Sequence, residues 1–173
     1  MRWLVFLLAM STTTRNAFSS VLLHLPAVDE ALPILLTHLE KLQIAVLNNE
    51  EDPVLEELFR ASGSLAIQTF RREEEAMELC RYRNSVPHKS AHQMFLKMFL
   101  HIRAVCMKQG PSVALAQDIR TDLIGWLSDH HHMFNASLGR TVHEMVERSR
   151  AHIESSGNGS SGPSAADSSG VAG

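Results

Sequence analysis

The sequence predicts an all-α protein, an up-down-up-down four-helix bundle, and three observations carry that expectation. Apolar residues recur at helical spacing in four successive segments. Short polar or Gly/Pro breaks separate those segments, as antiparallel helices with short connections require. Glycine is scarce: the 173-residue chain has 9, and Gly157, Gly159, Gly162, Gly170 and Gly173 all lie near its C-terminal end. The remaining Gly63, Gly110, Gly125 and Gly139 are too few for the turns of an all-β fold. No Gly-rich loop can cradle a phosphate, which excludes P-loop and dinucleotide-binding sites.

At roughly 150 residues per domain, the length fits one domain. We divide the chain into an N-terminal segment (1–24), a helical body (25–153) and a Ser/Gly-rich tail (154–173). The apolar run Trp3–Met10 follows Arg2 and has the form of a short signal-peptide core, with Ala17-Phe18-Ser19 as a small-x-small cleavage site. Arg15 beside that site argues against cleavage, so a cytoplasmic location is expected over export. The run is far too short to cross a membrane. Ser155–Gly173 carries one charged residue, Asp167, and no aromatic residue, and is expected to be disordered.

The first helix is expected over Asp29–Leu47, with Val28, Leu32, Leu35, Leu39, Leu42 and Val46 along one face. The second begins at Asp52-Pro53, read as an N-cap followed by proline at the first helical position. Its stripe is Leu55, Phe59, Ser62, Ala66, Thr69, Glu73, Met77 and Cys80. The third starts near Pro87 and carries His88, His92, Phe95, Phe99 and Ile102. Gly110-Pro111 breaks it. The fourth runs from Pro111 to about Ile153, with Ile119, Leu123, Trp126, His130 and Phe134 on one face.

Composition narrows the function classes. The net charge is −3 with histidine neutral, and no basic stripe with interleaved aromatics marks a nucleic-acid surface. Arg71–Arg72 and Arg81/Arg83 read as solvated helix faces, as do Glu74 and Glu75. Cys80 and Cys106 do not form a metal-type pair and read as buried thiols. Met77, Met94 and Met98 read as core filler.

Polar residues interrupt these stripes at four telling places: Glu73 on the second helix, His88 and His92 on the third, His130 on the fourth. A buried, unpaired carboxylate is costly, so Glu73 needs a positive partner or a metal. Histidines at i and i+4 project from one helix face and can share one ion. Helical bundles build metal sites from facing helices in this way. The chain has 10 histidines, but His24, His38, His101, His143 and His152 fall off the pattern. His131 and His132 flank His130 on other faces and are expected in solvent.

Phe70-Arg71-Arg72-Glu73-Glu74-Glu75-Ala76-Met77 resembles the FxxEExxM stretch of bacterial hemerythrins. His88–His92 falls where that family has its HxxxH, Trp126–His130 resembles its WLxxH, and Leu25–Asp29 resembles its IPxID. The resemblance covers about residues 25–140. It implies a four-helix bundle around a non-haem di-iron centre that binds O₂ reversibly, using five histidines, a bridging Glu and a bridging Asp. Carried over position by position, His88, His92 and His130 match the three histidines of one iron and Glu73 the bridging glutamate. Leu32, Thr69 and Asn135 stand where two histidines of the other iron and the bridging aspartate should be.

Leu cannot coordinate a metal, and Thr and neutral Asn replace imidazole and carboxylate poorly. The expectation is therefore one tightly held ion on Glu73, His88, His92 and His130. Iron is favoured by the resemblance, and zinc suits the same donors. His38 does not rescue the second half-site, since six residues past Leu32 it lies about 240° around the helix. Five residues from His130 to Asn135 do not align on an ideal α-helix and call for local π-like winding. A metal-binding protein related to O₂ carriers and sensors, with a reduced single-ion site and impaired reversible O₂ binding, is the first expectation. A metal-free interaction module, its Glu73 paired to an imidazolium, is the alternative. Enzyme activity is not expected, because no separate general base or substrate pocket is evident; nor is a nucleic-acid or membrane partner.

Overall fold

The computed structural model describes the backbone of residues 31–157 and the side chains of residues 31–152. The expected N-terminal segment, Val28, the Leu25–Asp29 motif, His24 and the tail beyond Gly157 lie outside the described residues. Within them the chain forms four helices and no strand. Helix α1 is described over 31–47, α2 is Asp52–Cys80, α3 is Ser85–Gln109 and α4 runs from Val113 to Gly157. None of them is long and apolar enough to cross a membrane.

Local chemistry sets the helix ends. Asn49 closes α1 in the left-handed region at φ 61°, a conformation that Asn tolerates better than most residues. The α2 cap is Glu51 rather than the expected Asp52, without a side-chain bond. Asp52 instead lies in the first turn, where its charge meets the positive end of the helix dipole, and Pro53 still falls among the orphan N–H positions. Helix α3 begins at Ser85, ahead of the expected start at Pro87, because proline is tolerated within a first turn. Gly110 closes α3 at φ 81°. Ser112 caps α4, its hydroxyl accepting from the Leu115 N–H at 3.1 Å. At its far end α4 continues past the expected Ile153 to Gly157, so Ser155 and Ser156 belong to the helix rather than the tail.

Helix α4 is not uniform. Ile119–Gly125 and His131–Asn135 are wound as π-helix. Its buried residues step by three or four along Leu123, Leu127 and His130, then by five to Asn135, then resume at Leu138, Val142 and Val146. The second π segment absorbs that longer step and keeps both halves of α4 facing the same core.

Two apolar clusters form the interior. The larger joins α1, α2, α3 and the first half of α4 through Leu35, Leu39, Leu42, Leu55, Phe59, Phe95, Phe99 and Ile119. Burying each such side chain is worth about 1.5–3 kcal/mol. The smaller joins Ala76, Met77, Tyr82, Leu138, Val142 and Val146. Gly63 lets α3 approach, since a Cβ there would meet the Phe99 ring at 3.0 Å. Met94, expected in the core, is 57% exposed; it lies off the His88/His92/Phe95 face of α3. Cys106 is buried and Cys80 half-buried, both as free thiols.

Candidate metal centre

The polar side chains sit between the two apolar clusters. On α2, Glu73 lies between Phe70 and Met77. On α3, His88 and His92 lie between Tyr82 and Phe95. On α4, His130 lies between Leu127 and Leu138. All four are at most 1% exposed. The structure brings together the four residues singled out from the sequence, with one ligand-capable atom of each within 4.8 Å of the others.

The contacts converge on single atoms. Oε2 of Glu73 lies 3.1 Å from Nε2 of His88, 3.0 Å from Nε2 of His92 and 3.2 Å from Nε2 of His130. Nε2 of His130 lies 3.0 Å from that of His88 and 3.3 Å from that of His92. Donors held about 2.0–2.1 Å from a tetrahedral zinc are themselves about 3.3–3.4 Å apart. A small outward movement of these atoms would seat an ion of that size.

Hydrogen-bonding capacity favours a cation over protons alone. Nδ1 of His92 faces Oε1 of Glu74 at 3.0 Å, and an ionised carboxylate only accepts, so His92 donates from Nδ1. Nε2 of His92 can then donate to Glu73 only when the ring is protonated; in the neutral ring it presents a lone pair, as a metal ligand does. Burial pushes the Glu73 carboxyl up, but hydrogen bonds from His130, His88 and His92 outweigh it and hold it well below the usual carboxylate range. Burial pushes the His130 imidazole down, against the opposing pull of Glu73. An ionised carboxylate and a neutral imidazole are the protonation states in which both groups ligate.

Glu74 was expected on a solvated face, and this is corrected. Its side chain is only 34% exposed and it fixes the His92 ring through Nδ1. Outer carboxylates of this kind orient metal-bound histidines and raise their basicity. Glu75 does face outward, accepting from Arg71 Nε at 3.0 Å. Three aromatic rings complete the surroundings. Phe70 stacks on His92 at 4.2 Å, Trp126 on His130 at 4.4 Å and Phe134 on His88 at 4.7 Å. They exclude water from the imidazole faces and hold each ring in one orientation.

Leu32, Thr69 and Asn135, which the resemblance sets at further ligand positions, have apolar or neutral side chains. Leu32 belongs to the large apolar cluster and Thr69 is 2% exposed. Asn135, carried inward by the π segment, donates from Nδ2 to Oε1 of Glu73 at 3.0 Å. Oε1 of Glu73 is thus engaged by an amide N–H, while Oε2 faces the three imidazoles. His38 stays apart from the cluster, with a buried Nδ1 that has no partner. His101, His131, His132, His143 and His152 are exposed. Comparison with known proteins finds no matching family model, no matching curated protein and no matching solved structure.

Proposed function

We propose that this chain is a hemerythrin-like metal-binding protein, an up-down-up-down bundle holding one ion through Glu73, His88, His92 and His130. The observation that carries this is the convergence of three imidazole nitrogens on one carboxylate oxygen in a dry, aromatic-lined interior. Iron is the favoured ion by resemblance, and zinc fits the same four donors. The role is binding rather than catalysis. Reversible O₂ binding is impaired, because Leu32 and Thr69 supply no ligands for the second iron on which the family carries O₂. The test is metal content and stoichiometry of protein purified without a histidine tag.

One observation favours the metal-free alternative. Nδ1 of His88 and Nδ1 of His130 are buried without partners, whereas metal-bound imidazoles usually donate from the second nitrogen. In that reading the cluster is held by protons, Glu73 pairs with an imidazolium, and the chain serves as an interaction module. A melting temperature indifferent to chelator and to added metal would favour it.

A further inference from the structure

A cleft of about 770 Å³ opens where α2 turns into α3, against the last stretch of α4. That size lies within the range of small-molecule sites, roughly 300–1,000 Å³. Arg81 and Arg83 reach it from the turn and Arg148 from α4, with Glu144 the one carboxylate on its walls. The cleft is therefore positive on a chain whose net charge is −3.

These arginines differ from four others in the chain. Arg60, Arg71, Arg103 and Arg150 pair with Glu57, Glu75, Glu56 and Glu147. Among the described residues, neither Arg81 nor Arg83 has a carboxylate partner. Arg148 uses its Nε on the backbone carbonyl of Glu144 at 3.2 Å, which leaves its terminal nitrogens for other acceptors.

The turn that presents Arg81 and Arg83 is fixed. Arg81 is left-handed at φ 51° and its N–H closes α2 onto Glu78. The Tyr82 N–H reaches the Met77 carbonyl at 2.9 Å, and the Ser85 N–H reaches the Tyr82 carbonyl at 3.2 Å. Tyr82 is 5% exposed and packs with Met77, Leu138 and Val142. It anchors the middle of an Arg-Tyr-Arg sequence whose outer residues remain exposed. Its hydroxyl, on a residue of the cleft wall, is buried without a hydrogen-bond partner.

We propose that this cleft binds a small multivalent anion carrying phosphate or carboxylate groups, held between Arg81 and Arg83 on one side and Arg148 on the other. Guanidinium presents paired N–H donors that match either group. The proposal uses the α2–α3 turn and α4 and does not depend on an ion at the Glu73 centre.

The test is calorimetric titration of the full chain at low ionic strength with two probes, inorganic phosphate and tricarballylate. Saturable binding of at least one probe is expected, weakening as salt is added. The double variant R81Q/R83Q should bind that probe about tenfold or more weakly, and R140Q, on the exposed surface of α4 outside the cleft, should bind it as the parent does. The tighter probe identifies the anion class. No saturation by either probe, equal affinity in R81Q/R83Q, or equal loss in R140Q would overturn the proposal.

Discussion

Asn135 donates its side-chain N–H to Oε1 of Glu73 across 3.0 Å, joining residues 62 positions apart. The other oxygen of Glu73 receives all three imidazoles. The two oxygens of one carboxylate are thus divided between an amide and the candidate ion, which leaves none for a second ion. Asn135→Asp would set a second carboxylate against the first in a buried setting. In chelator-treated protein the variant should lose about 3–5 kcal/mol, the cost of an uncompensated buried charge, with part restored by added metal. Denaturant melts with and without metal measure this, and an unchanged midpoint would remove Asn135 from the site.

His92→Ala should abolish metal binding, since His92 supplies one of four donors and its removal opens the ring of contacts around Oε2. His131→Ala should leave binding unchanged, because His131 is exposed. The readout is the metal-induced rise in melting temperature. A ligand bound only by the native state at about 100 times its Kd adds about 2.7 kcal/mol. Equal behaviour of the two variants would mean that the register of α4 and α3 around the site is wrong.

In the proposed single-ion site Glu74 would act through His92, whose Nδ1 it meets at 3.0 Å, as a positioning residue. Glu74→Ala should weaken metal affinity about 10–100-fold without changing stoichiometry. Glu74→Gln, which can still accept from Nδ1, should lose less. Glu75→Ala, at a residue that pairs with Arg71 and does not touch His92 Nδ1, should leave metal affinity unchanged. Competition against a chromogenic chelator distinguishes the three, and equal affinity in all of them would remove the outer carboxylate from the site.

The chelated protein should lose stability as pH falls. Burial lowers the His130 pKa in the folded state against the opposing pull of Glu73, so near and just below the ordinary 6.5 its imidazole binds fewer protons than the unfolded one. Stability therefore declines as pH drops below that value. Glu73 is ionised in the folded state to a pH well below its ordinary 4.5. Its contribution is complete above 4.5 and is lost as pH falls through the lower folded value. Denaturant midpoints across this range should fall in two stages, and His130→Gln should remove the upper one. A flat profile between pH 7 and 5 would contradict the neutral, buried imidazole.

The four candidate ligands were legible because each is a polar residue on an otherwise apolar helical stripe, and helix packing must bury that stripe. The His130–Asn135 step was legible as a misfit, five residues where α-helix offers three or four, and π winding resolves it. Glu74 was not legible. It stands in a run of three glutamates, and only the seating of α3 against α2 brings Nδ1 of His92 to it rather than to Glu75. The stacking of Phe70 on His92 likewise depends on contact between helices, whereas Trp126 and His130 share a face of α4 and were readable together. The caps of α2 and α3 moved by a residue or two because Asp and Pro are accommodated throughout a first turn.

The most direct test of the central claim is metal stoichiometry. Untagged protein, stripped with chelator and reloaded anaerobically with Fe(II), should bind one equivalent per chain and show no oxo-bridged charge-transfer absorption on exposure to air. Two tightly held equivalents with that absorption would contradict the single-ion site, and no bound metal at all would leave the proton-held cluster in its place.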